Sequence, residues 1–220
     1  MKKLSTLILL TFFGFGCSNT PEDSMNPFFT DYDTPYQIPP FKKIKEAHYM
    51  PAFNQGMKEQ LDEIDAIAGN LEPPTFENTI VELERTGKTL NKVVDVFFNL
   101  LSSNTNDEMD AIAADISPKL SVHSDAISLN KKLFDRAHTV YEQRKELGLN
   151  TEQMRLVEET HKGFIRSGVQ LDEPSMAKLT QINQELSSLS VQFDQNLLKE
   201  TNEGFSLIVE DKKQHPHLLL

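Results

Sequence analysis

From Phe41 onward, apolar residues recur three or four positions apart, the spacing that places them on one face of an α-helix. Phe53, Met57, Leu61, Ile64 and Ala68 form the first such face, and Gly69-Asn70 stops it. Pro73-Pro74-Thr75 restarts the chain, with Thr75 a residue type that caps helix N-termini. Ile80, Leu83, Gly87, Leu90, Val94, Phe97 and Leu101 then alternate at three and four, which predicts one long helix with a narrow seam for an intrachain partner. Asn106 is the expected cap of a third helix carrying Met109, Ile112 and Ile116, which Pro118 should kink or break. A fourth is centred on Leu133, Phe134, Ala137, Val140 and Tyr141 and ends near Gly148. Thr151 opens a fifth, with Met154, Val157, His161 and Phe164 on one side and Gly168 closing it. Asp172 and Pro174 begin a sixth, whose face is Leu179, Ile182, Leu186, Leu189, Phe193 and Leu197.

The two ends of the chain read differently. Residues 18–40 contain Pro21, Pro27, Pro35, Pro39 and Pro40, a density through which no helix passes. They are expected to form an extended arm, packed onto something through Phe28, Phe29, Tyr32 and Tyr36. Phe205 to Val209 reads as a short strand after Gly204, yet no second strand is evident to pair with it. No repeat of fixed period runs through the helices. The fold class expected is all-α, an irregular multi-helix bundle with one short C-terminal strand. The organisation expected is a signal peptide over 1–16, a lipid-attachment site and Pro-rich arm over 17–40, a helical domain over 41–204, and an orphan strand with a divergent tail over 205–220.

The signal-peptide reading rests on three parts in order. Lys2 and Lys3 are followed by an apolar run from Leu7 to Phe13, and then by small Gly14 and Gly16. The run is too short to span a bilayer. Cys17, the only cysteine, follows at once and can form no intramolecular disulfide. Gly14-Phe15-Gly16-Cys17 resembles a bacterial lipobox, although Gly14 and bulky Phe15 depart from the usual aliphatic and small residues. Cys17 is therefore the expected lipid-attachment residue, and the protein is expected to be exported to the cell envelope as a membrane-anchored lipoprotein facing the periplasm or cell surface. A net charge of −11 argues against nucleic-acid partners and against adsorption to anionic lipid, because both surfaces repel an acidic protein.

A complete catalytic site is not legible. A zinc hydrolase of the commonest type needs H-E-x-x-H, two imidazoles one turn apart on a helix with a Glu to activate water. None of His48, His123, His138, His161, His215 and His217 is followed by Glu or has a second His four residues on. Cys17 lies at the processing site and has no role as a nucleophile. His215 and His217 form H-x-H, but a solvated tail accounts for them. His161 falls on the apolar side of its helix and reads as a core histidine bonded to a neighbour. The acidic groups Glu158-Glu159, Glu82 with Glu84, and Asp62, Glu63 and Asp65 read as solvated helix faces.

Several stretches are more specific than their physics. Asn26-Pro27-Phe28-Phe29, Tyr36-Gln37-Ile38-Pro39-Pro40-Phe41 and Pro51-Ala52-Phe53 come first, then Pro74-Thr75-Phe76-Glu77-Asn78-Thr79-Ile80 and Phe97-Phe98-Asn99-Leu100. Asp115-Ile116-Ser117-Pro118-Lys119-Leu120, Asn183-Gln184-Glu185-Leu186-Ser187 and Lys199-Glu200-Thr201-Asn202 follow in order. Together, over about residues 26–211, the chain resembles the N-terminal portion of bacterial peptidyl-dipeptidases, members of the thimet-oligopeptidase-like zinc metallopeptidases. The resemblance implies a clam-like helical peptidase that uses one zinc ion to release C-terminal dipeptides from oligopeptides. It also implies that the H-E-x-x-H helix lies in a later part of the fold, so no catalytic or metal residue is carried over and no cofactor is expected in this chain. On this reading the 220 residues are a truncated fragment, inactive alone, with oligopeptides as partners once a catalytic part completes it. A non-catalytic, peptide-binding envelope lipoprotein is the alternative.

Overall fold

Residues 25–204 are described by a computed structural model, and among them every regular element is helical. The strand expected at Phe205–Val209, the tail, the signal segment and Cys17 lie outside the described residues. The all-α, irregular multi-helix architecture is as the periodicity predicts.

The arm is not simply extended. It runs through short 3₁₀ turns at Pro27–Phe29, Pro35–Gln37, Phe41–Lys43 and Glu46–His48. Asn26 ties it down: its Oδ1 accepts the Phe28 N–H at 3.1 Å while its Nδ2 donates to the His48 carbonyl at 2.8 Å. Phe28 is thereby buried against Tyr49, with ring centroids 5.7 Å apart. Lys88 and Lys92 reach Asp31 at 3.0 and 3.2 Å, and Lys92 lies over the Tyr32 ring. Tyr36, expected to pack, is almost wholly in water instead, and Phe29 is about half exposed. Lys92 Nζ also donates to the Thr30 carbonyl at 3.0 Å, so one buried aromatic and several polar ties join the arm to the helices.

Helix α1 (Tyr49–Ala68) is the mast of the molecule. Its first half, Tyr49, Ala52 and Phe53, enters a core with Phe28, Val93, Phe97, Met109, Ala113 and Ile116. Its second half, Ile64 and Ile67, enters another with Phe76, Ile80, Leu133, Val140, Val157 and Phe164. Gly56 sits between, and a Cβ there would lie 2.7 Å from the backbone N and Cα of Leu90. No side chain fits that crossing, so glycine sets how closely α1 meets the helix that carries Leu90.

The long helix predicted from Ile80 to Leu101 is in fact broken. Thr75 opens it as expected, in a reciprocal capping box with Asn78. A widened turn over Phe76–Val81 then leads into α2 (Glu82–Arg85), and α3 (Lys88–Ser103) starts anew. The break is at Gly87, whose φ of 77° is left-handed. The Gly87 N–H donates to Glu63 Oε2 of α1 at 2.8 Å, and a Cβ would meet the Gln60 amide at 2.6 Å. Glu63, read as a solvated acid, is therefore a latch between α1 and this corner.

Helix α4 (Asp107–Ser128), capped by Asn106, runs through Pro118 without the expected break. The bond lost is the one Ala114 would have accepted, and Ala114 lies on the exposed side of the helix, where an unpaired carbonyl costs little. Helices α5 (Lys131–Gln143) and α6 (Thr151–Ser167) pair around Leu133, Ala137, Val140 and Val157. Thr151 opens α6 as expected, and Asn150 caps it through a reciprocal bond with Gln153. Gly168, at φ 93°, ends it. Helix α7 (Glu173–Lys199), capped by Asp172, lies along α4. Asn183 Nδ2 donates to the Asp125 carboxylate at 3.0 Å and Gln195 Nε2 to the Asp110 carbonyl at 2.8 Å.

Candidate functional site

Two places are the candidates for a site built of titratable or polar side chains. The first lies on the outer side of α5 and α6. His138 Nδ1 and His161 Nε2 are 3.0 Å apart, so the pair shares one proton in an N–H···N bond. The Tyr141 ring stacks on His161 at 3.9 Å with planes 7° apart, and the Arg144 guanidinium lies 3.7 Å over Tyr141. Phe134 stacks on both imidazoles at 5.6 Å. Arg144 Nε donates to Glu158 Oε1 at 3.3 Å. Burial, and then the neighbouring His138, hold the His161 pKa below its ordinary value, which favours the neutral pair. The bonded core histidine expected at 161 is thus bonded, but half-buried and facing a second histidine.

The other histidines do not join it. His123 is buried, meets Gln60 Oε1 at 2.8 Å through Nε2, and is pushed toward neutrality by burial. His48 Nδ1 accepts the Lys45 N–H at 3.1 Å at the foot of α1. His215 and His217 lie outside the described residues, as does Cys17.

The second place is the groove between α4 and α7, about 640 Å³ in volume. Ser117, Ser121, Ser124, Ser187, Ser190, Asp125, Asp194 and Asn183 line it, with Leu120, Leu186, Val191 and Phe98. No lining side chain is cationic. A site that reads a peptide C-terminus needs a positive or N–H-rich partner for the carboxylate, and two aspartates repel one.

Zinc needs three or four His, Cys, Asp or Glu ligands around one point. Among the described residues no group of three or more could hold a metal ion. The zinc ion implied by the family resemblance therefore finds no ligand set on these helices. Two of the acids singled out in the sequence are held in local pairs, Glu82 with Arg85 at 2.9 Å and Glu159 with Lys162 at 3.2 Å.

Sequence reasoning missed Arg136. It is buried on α5, and its Nη atoms donate to Asn70 O at 2.7 Å, Glu72 O at 3.0 Å, Asn78 Oδ1 at 3.0 Å and Thr79 Oγ1 at 3.3 Å. The available signal was an arginine inside the apolar run Leu133, Phe134, Ala137, Val140. Its partners show it to be a structural clamp on the loop between α1 and α2.

No protein-family model matches the chain. Dipeptidyl carboxypeptidase of Escherichia coli is 40% identical over 191 residues, covering 87% of this chain and 28% of that protein. Dipeptidyl carboxypeptidase of Salmonella typhimurium is 40% identical over 188 residues, covering 86% and 28%. Oligopeptidase A of Escherichia coli is 24% identical over 181 residues, covering 82% and 26%. The chain thus spans 28% of the length of the two dipeptidyl carboxypeptidases. It corresponds in sequence to part of a thimet-oligopeptidase-like peptidase, matching dipeptidyl carboxypeptidase more strongly than oligopeptidase A.

Proposed function

We propose that this chain is the N-terminal helical part of a zinc peptidase that releases C-terminal dipeptides from oligopeptides, and that it supplies scaffold rather than chemistry. The 40% identity to dipeptidyl carboxypeptidase, spread along 87% of the chain, carries the reading. The family-like segments coincide with positions that build the fold. Asn26 ties the arm, Phe53 and Phe97 fill the first core, and Thr75 with Asn78 caps the widened turn. Hydrolysis would depend on residues outside this sequence, which contains no H-E-x-x-H. The purified 220-residue protein is therefore expected to release no dipeptide from an N-blocked oligopeptide, with or without added zinc. Mass spectrometry of the products checks this, and zinc-dependent C-terminal dipeptides would overturn it.

We further propose that the protein is exported by residues 1–16 and anchored in the cell envelope through Cys17. The three-part leader and the lone cysteine support it. Cells fed labelled palmitate should incorporate label into the protein and lose it in the Cys17→Ser variant. Equal labelling of both, or of neither, would remove the anchor from the proposal.

A further inference from the structure

None of the 27 residues of α7 is buried among the described residues. One side of the helix meets α4 through polar ties and through Val191, which packs against the first core. Another carries a continuous apolar stripe: Ile182, Leu186, Leu189, Phe193 and Leu197 are 49%, 61%, 61%, 65% and 55% exposed. Their spacing of four, three, four and four keeps them in line along roughly 22 Å of helix. A contiguous apolar surface of this kind marks a place built to be covered.

We infer that this stripe is the surface on which the rest of a dipeptidyl carboxypeptidase-like chain docks. The inference rests on the proposed function, that the chain is part of a larger peptidase. A protein 40% identical to this chain leaves nearly three quarters of its own length outside the match, so a relative carries ample further chain to cover the stripe. The stripe itself is uncharged, as a surface that becomes core is. A lipid surface is a poor occupant, because helices that lie on membranes flank their apolar face with Lys and Arg. On α7, Lys178 and Lys199 are outnumbered by Glu173, Glu185 and Asp194. A second copy is a poor occupant too. Two chains of net charge −11 repel, and five side chains make a narrow contact beside the roughly 1,200 Å² that a specific dimer buries.

The test replaces the matching segment of the E. coli dipeptidyl carboxypeptidase with residues 25–204 of this chain, and introduces Leu189→Asp with Phe193→Asp. The double variant should lower the thermal midpoint of the graft by roughly 5 °C or more, while leaving that of the free 220-residue protein unchanged. A graft that tolerates both aspartates overturns the docking inference and leaves the proposed function standing. A free protein destabilised as much as the graft overturns it as well, because the stripe is then covered within the chain itself. Sedimentation of the free protein as a dimer that the double variant dissolves assigns the stripe to a second copy, with the same consequence. A wild-type graft that neither folds nor releases dipeptides removes the proposed function, and the inference with it.

Discussion

Phe97→Ala should cost the folded chain about 4 kcal/mol, a large share of the roughly 5–15 kcal/mol by which a domain is stable. Phe97 is fully buried at the centre of the first core. Its ring lies 5.0 Å from Tyr49 and 5.3 Å from Phe53, both edge-on, and 5.1 Å from Phe98. Truncation removes the burial, leaves a cavity between α1 and α3, and forfeits three edge-to-face contacts. Phe193→Ala on α7 removes the same atoms from a ring that is 65% exposed, and should cost under about 0.5 kcal/mol. Urea unfolding of both variants, followed by circular dichroism, compares them directly. Equal losses would mean that the core is not where the structure places it.

Replacing Arg136 by Leu should be the next most damaging change, at about 3 kcal/mol. The apolar substitute removes every donor while the carbonyls of Asn70 and Glu72, Asn78 Oδ1 and Thr79 Oγ1 stay where the backbone holds them. Exchanging a buried ion pair for apolar residues can be neutral when both partners go; here the backbone acceptors remain. Arg136→Lys should recover only part of the loss, because one ammonium does not span the two sides that the planar fork serves. Thermal melts order the three proteins, and hydrogen exchange over residues 70–79 should quicken in both variants. A Leu variant as stable as the parent would show that the loop is held by something else.

Local chemistry made much of this legible. Thr75, Asn106 and Asp172 are caps in the structure because each needs only a side-chain oxygen and an N–H three residues on. Gly168 ends α6 for an equally local reason, its left-handed φ. The buried face of α5 and the buried Val157 and Phe164 of α6 followed from periodicity, since a helix repeats whatever its neighbours are, whereas α1 buries Phe53 and Ile64 of its expected face together with Tyr49, Ala52, Gly56 and Ile67. The candidate site was less legible. His138 and His161 are 23 residues apart in sequence, and only the pairing of α5 with α6 brings them to 3.0 Å. The relatives were legible because the specific segments coincide with arm, cap and core positions that the fold requires.

What the sequence determined by itself, then, was the all-α class, the helix faces and most of the helix ends, all set by interactions within about four residues. Tertiary structure decided the rest. The three-four period runs on through Gly87, and the break there depends on Glu63 reaching across from α1 to take the freed N–H. Pro118 should end a helix that stood alone. Here Met109, Ala113 and Ile116 bury one half of α4 and His123 the other, and that packing offsets the roughly 3 kcal/mol proline costs. The stripe on α7 has the pattern of a buried face, yet it is exposed among the described residues, because periodicity specifies which side chains share a face and only neighbouring chain can take that face out of water.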